Sequence, residues 1–254
     1  MNDIYNPDHQ TEFEPSGRRV RTLFNGQVVA DSKSMMLLRE TGRIPQYYFP
    51  AKDVRMEFLR QSGRSGDDPK GSAVYWHVRV GQRSAEDAAF TFRDPPAGRP
   101  ALADHLSIAW GQMDAWYEED DEIFVHARDP YKRVDVLNSS RHIKVEIDGV
   151  TVAETRRPRL LFETGMPARY YIPLDDIRRE LLVPSETTTS CPYKGDAHYY
   201  SVKIGENHHQ DIVWGYRFPI TACAKVEGLL CFFNEKVDIY EEGELQTRPQ
   251  TPWS

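Results

Sequence analysis

The chain has 254 residues, of which 39% are apolar and 28% charged, with a formal net charge of −7 and a pI near 5.7. That length suffices for one large domain or two small ones, each with its own core. The acidic balance argues against a nucleic-acid groove, which needs clustered Lys and Arg, and no apolar run approaches the roughly 20 residues of a membrane span.

In chain order, residues 1–17 carry no basic-then-apolar signal pattern and read as a polar, disordered tail. RVRTLF (19–24) is a short alternating run that ends at Asn25-Gly26, the strongest short hairpin signal. YYFP (47–50) is an aromatic strand stopped by a proline, which cannot donate to a ladder. AVYWHVRVG (73–81) and AAFTF (88–92) read as successive half-buried strands. Leu102, Leu106, Ala109 and Met113 follow helical spacing, and DAWYEE (114–119) reads as a closing strand. After a linker at 126–141 the pattern starts again. HIKVEI (142–147) precedes Asp148-Gly149, and YYIP (170–173), HYYSVKIG (198–205) and DIVWGY (211–216) follow. Val226, Leu229, Leu230 and Phe233 predict a second helix, VDIYEE (237–242) a last strand, and 244–254 a C-terminal tail.

The recurrence is a repeat. FNGQVVADS (24–32) lies against IDGVTVAET (147–155), with Gly26 against Gly149, an offset of 123. The same offset sets Glu40-Thr41-Gly42 on Glu163-Thr164-Gly165 and Tyr47-Tyr48 on Tyr170-Tyr171. Past PKG/PYKG, Gly71 meets Gly195, and the offset becomes 124. Two tandem copies are therefore expected, at 18–125 and 142–243. Each should be a small, mostly antiparallel sheet with one helix, and the two should form an intramolecular pseudo-dimer.

The stretch SCPYKGDAHYY (190–200) holds the most chemistry. Pro192 and Gly195 make Cys191–Gly195 a tight bend. Lys194 could lower the pKa of Cys191 and give a thiolate, or the thiol could be packed and inert, which is the commoner fate of a free cysteine. Copy one has Asp68 where copy two has Cys191 and lacks the tyrosine, so any thiol chemistry belongs to the second copy. In the first copy Asp68 should pair with Lys70, whereas in the second Lys194 should remain free for an anion. Of each adjacent tyrosine pair, one ring should fill the core and the other line a cleft. Asp211, on an apolar strand, needs a partner such as Lys194, Arg169 or a ligand. His209 and Asp211 share a strand face, but two ligands do not make a metal site. Three cysteines without a C-x-x-C exclude a structural zinc framework and suit a reducing cytoplasm, the expected location.

The combination ETG…YYIP..D.R…CPYKG.A.YY.V, with D..W.Y..P and FFNEKVD after it, resembles the family called domain of unknown function 427. The stretch FVHARDPYKRVDVLNSSRHIKVEIDG resembles the connector of its two-copy members, and the resemblance runs from about 18 to about 243. It implies a β-tent (Mss4-like) fold, two small sheets meeting at an angle with a groove between them. Relatives of that fold often carry zinc cysteines, which this chain lacks. A nucleotidyltransferase label is attached to the family, but neither paired metal-binding carboxylates nor a phosphate loop can be read here.

The family pattern falls on Cys191, Lys194 and Asp211 as candidate catalytic residues. It also falls on Arg169, Tyr170, Tyr171, Tyr193, Tyr199 and Trp214 as candidate ligand-binding residues. Aromatic walls with one Lys, one Arg, an acid and a thiol suit a small polar or anionic organic ligand. Two readings stand: a binding module for such a molecule, or an enzyme using Cys191 as nucleophile or Lys194 as base or Schiff-base amine. A purely structural protein is a third. No cofactor, metal, nucleic acid or membrane partner is expected.

Overall fold

A computed structural model describes residues 10–94 and 102–254. The chain divides into two units between Asp129 and Pro130. The first has a seven-stranded sheet in the order β1-β4-β5-β9-β8-β7-β6 and a four-stranded sheet in the order β11 (Asp121–Ile123), β10 (Ala115–Glu118), β2 (Val20–Phe24), β3 (Gln27–Ser32). The second has a seven-stranded sheet β12-β15-β16-β20-β19-β18-β17 and a four-stranded sheet β14-β13-β21-β22. The seven-stranded orders correspond strand for strand, and the strands of each sheet pair antiparallel, so the repeat is structural as well as sequential.

The ranges used below in the first unit are β1 Thr11–Pro15, β4 Met36–Glu40, β5 Gln46–Pro50, β6 Leu59–Asp68, β7 Gly71–Val80, β8 Arg83–Arg93 and β9 His105–Ile108. Those of the second are β12 Val134–Asn138, β13 Ile143–Ile147, β14 Val150–Thr155, β15 Arg159–Glu163, β16 Arg169–Ile172, β17 Leu182–Cys191, β18 Gly195–Ile204, β19 Asn207–Tyr216, β20 Leu230–Phe232, β21 Asp238–Glu241 and β22 Glu244–Leu245.

Turn chemistry places the hairpins where the sequence predicts them. Asn25 and Gly26 have φ of 48° and 71°, and Asp148 and Gly149 have 50° and 73°. Two consecutive positive φ values match the right-handed twist of the flanking strands. Gly71 has φ +123°, and a Cβ there would lie 2.0 Å from the Arg93 carbonyl oxygen, so only glycine fits this turn.

Three expectations are corrected. The two predicted helices are absent: Leu106 lies in the strand β9 and Leu230 in the strand β20, Val226 ends a 3₁₀ turn, and the described residues contain no α-helix. Both strands are central, and β20 is buried at all three positions. A strand buried on both faces has no polar alternation, so its apolar run mimics a helix stripe. The segment read as an N-terminal tail contains β1, paired with β4 from Thr11↔Glu40 to Pro15↔Met36. The segment read as a linker contains β12, paired with β15 from Val134↔Glu163 to Asn138↔Arg159.

In the second unit the large sheet buries two faces. Toward the small sheet lie Ile172, Val202, Val213, Leu230 and Phe232, packed with Ile143, Val145 and Ile239. The other face carries Val136, Leu161, Tyr171, Ala197, Trp214, Tyr216 and Cys231, covered by Cys223 and Val226 of a 3₁₀ turn at Thr221–Val226. No helix of the described residues is long and apolar enough to cross a membrane.

Candidate functional site

Strand alternation decides which candidate residues meet. On β16, Tyr170 and Ile172 face the small sheet, whereas Tyr171 belongs to the outer cluster with Trp214, Tyr216 and Tyr199. Register places Tyr199 opposite Trp214, and Trp214 and Tyr171 both opposite Cys231. The outer face of one sheet thus gathers Tyr171, Tyr199 and Trp214, with Cys191 at the end of β17 across from Gly195. Tyr171 is fully buried and accepts a hydrogen bond from Trp214 Nε1 at 3.2 Å. Tyr199 stacks on Phe233 and its hydroxyl meets Thr189 at 2.9 Å. Tyr171 and Trp214 are core and Tyr199 is partly buried against them, which leaves Tyr170 as the half-buried member of its pair.

The turn Pro192-Tyr193-Lys194 closes β17 onto β18. Lys194 N–H donates to the Cys191 carbonyl at 3.3 Å, and Ile220 N–H donates to the Lys194 carbonyl at 3.1 Å. The expectation that Lys194 is free is corrected, because its ammonium donates to Glu163 Oε2. Lys132 Nζ lies 3.0 Å from Glu163 Oε1 and 5.5 Å from the centre of the Tyr193 ring. The Lys194, Glu163 and Lys132 side chains are 14%, 10% and 29% exposed. Burial works to raise the Glu163 pKa, but the two lysines outweigh it and hold the carboxyl below its usual range. Two cations on one carboxylate leave this trio at net +1.

The corresponding place in the first unit has a different balance. Lys70 Nζ lies 2.8 Å from Asp68 and 3.4 Å from Glu40, and Arg43 lies 3.8 Å from the same Glu40 oxygen. Asp68 pairs with Lys70 as the sequence suggests, so Lys70 meets two carboxylates, Asp68 and Glu40, where Lys194 meets Glu163.

Cys191 is partly exposed, whereas Cys223 and Cys231 are buried. Cys223 Sγ donates to the Tyr193 carbonyl at 3.4 Å, so it braces the same turn. Burial pushes the Cys223 thiol up to about 11 and that of Cys231 up to about 12.

Arg169 is committed elsewhere. Its guanidinium makes two 2.7 Å hydrogen bonds to Glu235, and their side chains are 7% and 0% exposed. The ring centres of Trp214 and Trp253 lie 5.5 Å and 5.8 Å from its Cζ, and Thr251 donates to Glu235 at 2.6 Å. Burial opposes the charge on Arg169, but the bonds to Glu235 raise its pKa overall. Asp211 also has its own partners. It sits at a bulge with φ +52°, and the hydroxyls of Ser185 and Thr187 hold its carboxyl below the usual range, Thr187 at 2.7 Å. The partners suggested for it, Lys194 and Arg169, are bonded to other acids.

A cavity of about 150 Å³ in the second unit is lined by Pro167, Ala168, Tyr170, Asn234, Ile239, Gln246, Thr247 and Pro249. Of the predicted ligand residues, Tyr170 lines it. The Tyr170 hydroxyl donates to Glu241 at 2.9 Å, and burial followed by this bond pushes its pKa up to about 12. Lys132, Glu163, Glu235 and Asn234 escaped the sequence reading as site residues. Glu163 carried a signal in the repeated Glu-Thr-Gly, Asn234 and Glu235 in the stretch FFNEKVD, and Lys132 in the connector stretch. Among the described residues no group of three or more His, Cys, Asp and Glu is placed to hold a metal ion.

The chain was compared with known proteins on this basis. The model of the family described as "Domain of unknown function (DUF427)" matches twice, at residues 12–119 and 135–243. These spans take in nearly all of β1 and β12, in keeping with the strand pairings. No curated protein matches the chain. The two matches cover most of the sequence, and the chain belongs to the DUF427 family as a two-copy member.

Proposed function

We propose that the protein binds a small anionic organic molecule at the Cys191–Gly195 turn of its second unit. The observation that carries this reading is the charge asymmetry between equivalent turns. Lys132 and Lys194 share one carboxylate, whereas Lys70 and Arg43 face two. A half-buried surplus cation attracts an anion more strongly than a solvated one, because local screening is weaker. Tyr193, with Lys132 over its ring, offers an aromatic wall for the organic part, and Cys191 stands where the first unit has the carboxylate of Asp68.

Phenyl phosphate is a suitable probe, titrated by calorimetry at low salt. Lys194→Gln is expected to weaken it about tenfold, the scale of one charge–charge contact of roughly 1–2 kcal/mol near a surface. Lys70→Gln should leave it unchanged. Equal losses in both variants, or none in Lys194→Gln, would sink the proposal.

The enzymatic reading rests on one observation, a partly exposed Cys191 beside a lysine. Lys194 is engaged as a cation by Glu163, which disfavours it as base or Schiff-base amine, so Cys191 would carry that chemistry. Alkylation of Cys191 with iodoacetamide separates the two readings. A binding site with a bystander thiol loses affinity only by crowding, and Cys191→Ser restores it.

A further inference from the structure

We propose that the cavity beside the C-terminal segment of the second unit binds a small planar heteroaromatic molecule of the indole class. At the same place the first unit supplies that chemistry from its own chain, and strand register identifies the equivalent positions. Trp116 lies opposite Thr22 and Ile239 opposite Val145, and Thr22 and Val145 share the offset of 123 that relates Gly26 to Gly149. Ile108 lies opposite Ala89 and Phe232 opposite Val213. Trp110 and Asn234, each two positions further along the chain, therefore correspond. Ile123 lies opposite Trp116, and Gln246 N–H donates to the Ile239 carbonyl at 2.8 Å, which makes Gln246 the counterpart of Ile123.

In the first unit these three side chains fill space. The indoles of Trp110 and Trp116 stack at 4.5 Å with their planes 6° apart, and their centres lie 6.2 and 6.3 Å from that of Tyr47. Tyr47 is left 4% exposed, and Ile123 joins the same core. In the second unit Asn234, Ile239 and Gln246 take their places, and all three line the cavity of about 150 Å³. Tyr170, the counterpart of Tyr47, lines it as well and is only partly buried. Its ring is tethered as in the first unit, since Tyr47 donates to Glu118 and Tyr170 to Glu241. The exchange thus removes two indoles and opens the tyrosine that they cover.

The lining sets the chemistry of the occupant. A flat ring regains the contacts that the indoles make with Tyr47, and Ile239, Pro167 and Pro249 add apolar wall. Gln246 gives its side-chain NH₂ to the Glu244 carbonyl at 3.0 Å, so its Oε1 remains to accept a ring N–H. An apolar face with a polar edge fits both features. No side chain of the lining is ionised, so a charged molecule would lose hydration without meeting a counter-charge. At about 150 Å³ the space admits one small ring system.

The test is titration of the full chain with indole, followed by the methyl resonances of Ile239, with cyclohexylmethanol as a non-planar control. Crystals soaked in indole provide the geometry. Saturable binding is expected at about 1 mM or tighter, within the ceiling for so few heavy atoms, with the indole packed on the Tyr170 ring. Ile239→Trp restores a side chain of the first unit and should weaken indole by about tenfold or more. If that variant fails to fold, Asn234→Trp supplies the other indole, with the same expectation. Indole seated elsewhere in the soaked crystals, equal binding of cyclohexylmethanol, or unchanged affinity in a folded variant would overturn the proposal. The cavity shares no residue with the Lys194 turn, so Lys194→Gln should bind indole as the native chain does, and either proposal can fail without the other.

Discussion

Removing one member of the Arg169–Glu235 pair should be among the most destabilising changes to the second unit. The two bonds are parallel and 2.7 Å long, and neither side chain is more than 7% exposed. Glu235→Gln would leave a buried guanidinium near two indole rings without its counter-charge, and Arg169→Gln would leave a buried carboxylate without a cation, held by Thr251 and a backbone N–H. Loss of one partner of a buried pair costs about 3–5 kcal/mol. For a unit of this size that is a fall in melting temperature of roughly 10 °C or more. The double variant Arg169→Gln/Glu235→Gln removes both charges and should recover a large part of the loss. The first unit has Gln46 where the second has Arg169, so a neutral residue is compatible with this strand position. Urea unfolding followed by tryptophan fluorescence supplies the four corners of the cycle, fitted for two units rather than one transition. Single variants within about 0.5 kcal/mol of the native chain, a range typical of ordinary surface substitutions, or strictly additive losses, would refute the argument that burial makes the pair interdependent.

Other outcomes follow from the same geometry. Gly71→Ala forces a Cβ to 2.0 Å from the Arg93 carbonyl oxygen at φ +123°, whereas Gly195→Ala meets the Phe218 carbonyl oxygen at 3.2 Å. Expression and urea midpoints should show the first as far more damaging, and equal midpoints would contradict it. Of the three thiols, Cys191 should react first with a disulfide reagent at neutral pH, since Cys223 and Cys231 are buried with pKa values near 11 and 12; peptide mapping of the labelled chain decides. The lowered pKa of Glu163 contributes stability that is fully present above its unfolded value near 4.5 and lost as pH falls through the lower folded value. Glu163→Gln should therefore flatten the acid side of the stability profile. An unchanged acid limb would mean that the lysines do not hold the carboxylate.

Short-range signals in the sequence translated well into structure. Asn25-Gly26 and Asp148-Gly149 impose two positive φ values in a row, and that backbone demand is local, so it can be read without knowing the partners. The repeat was legible for a similar reason, because equal turns and equal strand lengths keep glycine, proline and tyrosine in step. The helices misled because Leu106 and Leu230 lie on central strands buried on both sides, where apolar spacing no longer reports the secondary structure. The strands Thr11–Pro15 and Val134–Asn138 are edge strands with polar residues on exposed positions, so their composition resembles that of a tail or linker.

The candidate site was half legible. Alternation along a strand correctly separated Tyr170 from Tyr171, but charge pairing depends on residues far apart in sequence. Glu163 is 31 positions from Lys194, Glu235 is 66 from Arg169, and nothing local announces either match. The hydroxyls that hold the Asp211 carboxyl come from Ser185 and Thr187 of β17, two strands away in the sheet, where the sequence suggested a cation.

The central claim is that the Lys132–Glu163–Lys194 trio is an anion site by virtue of its surplus positive charge. Phenyl phosphate affinity in Glu163→Gln against the native chain tests it most directly, at fixed pH and low salt. Removing the carboxylate raises the trio from +1 to +2 and releases both ammonium groups, so binding should tighten, by about tenfold on the same electrostatic scale. Weaker or unchanged binding in a folded Glu163→Gln variant would contradict the account.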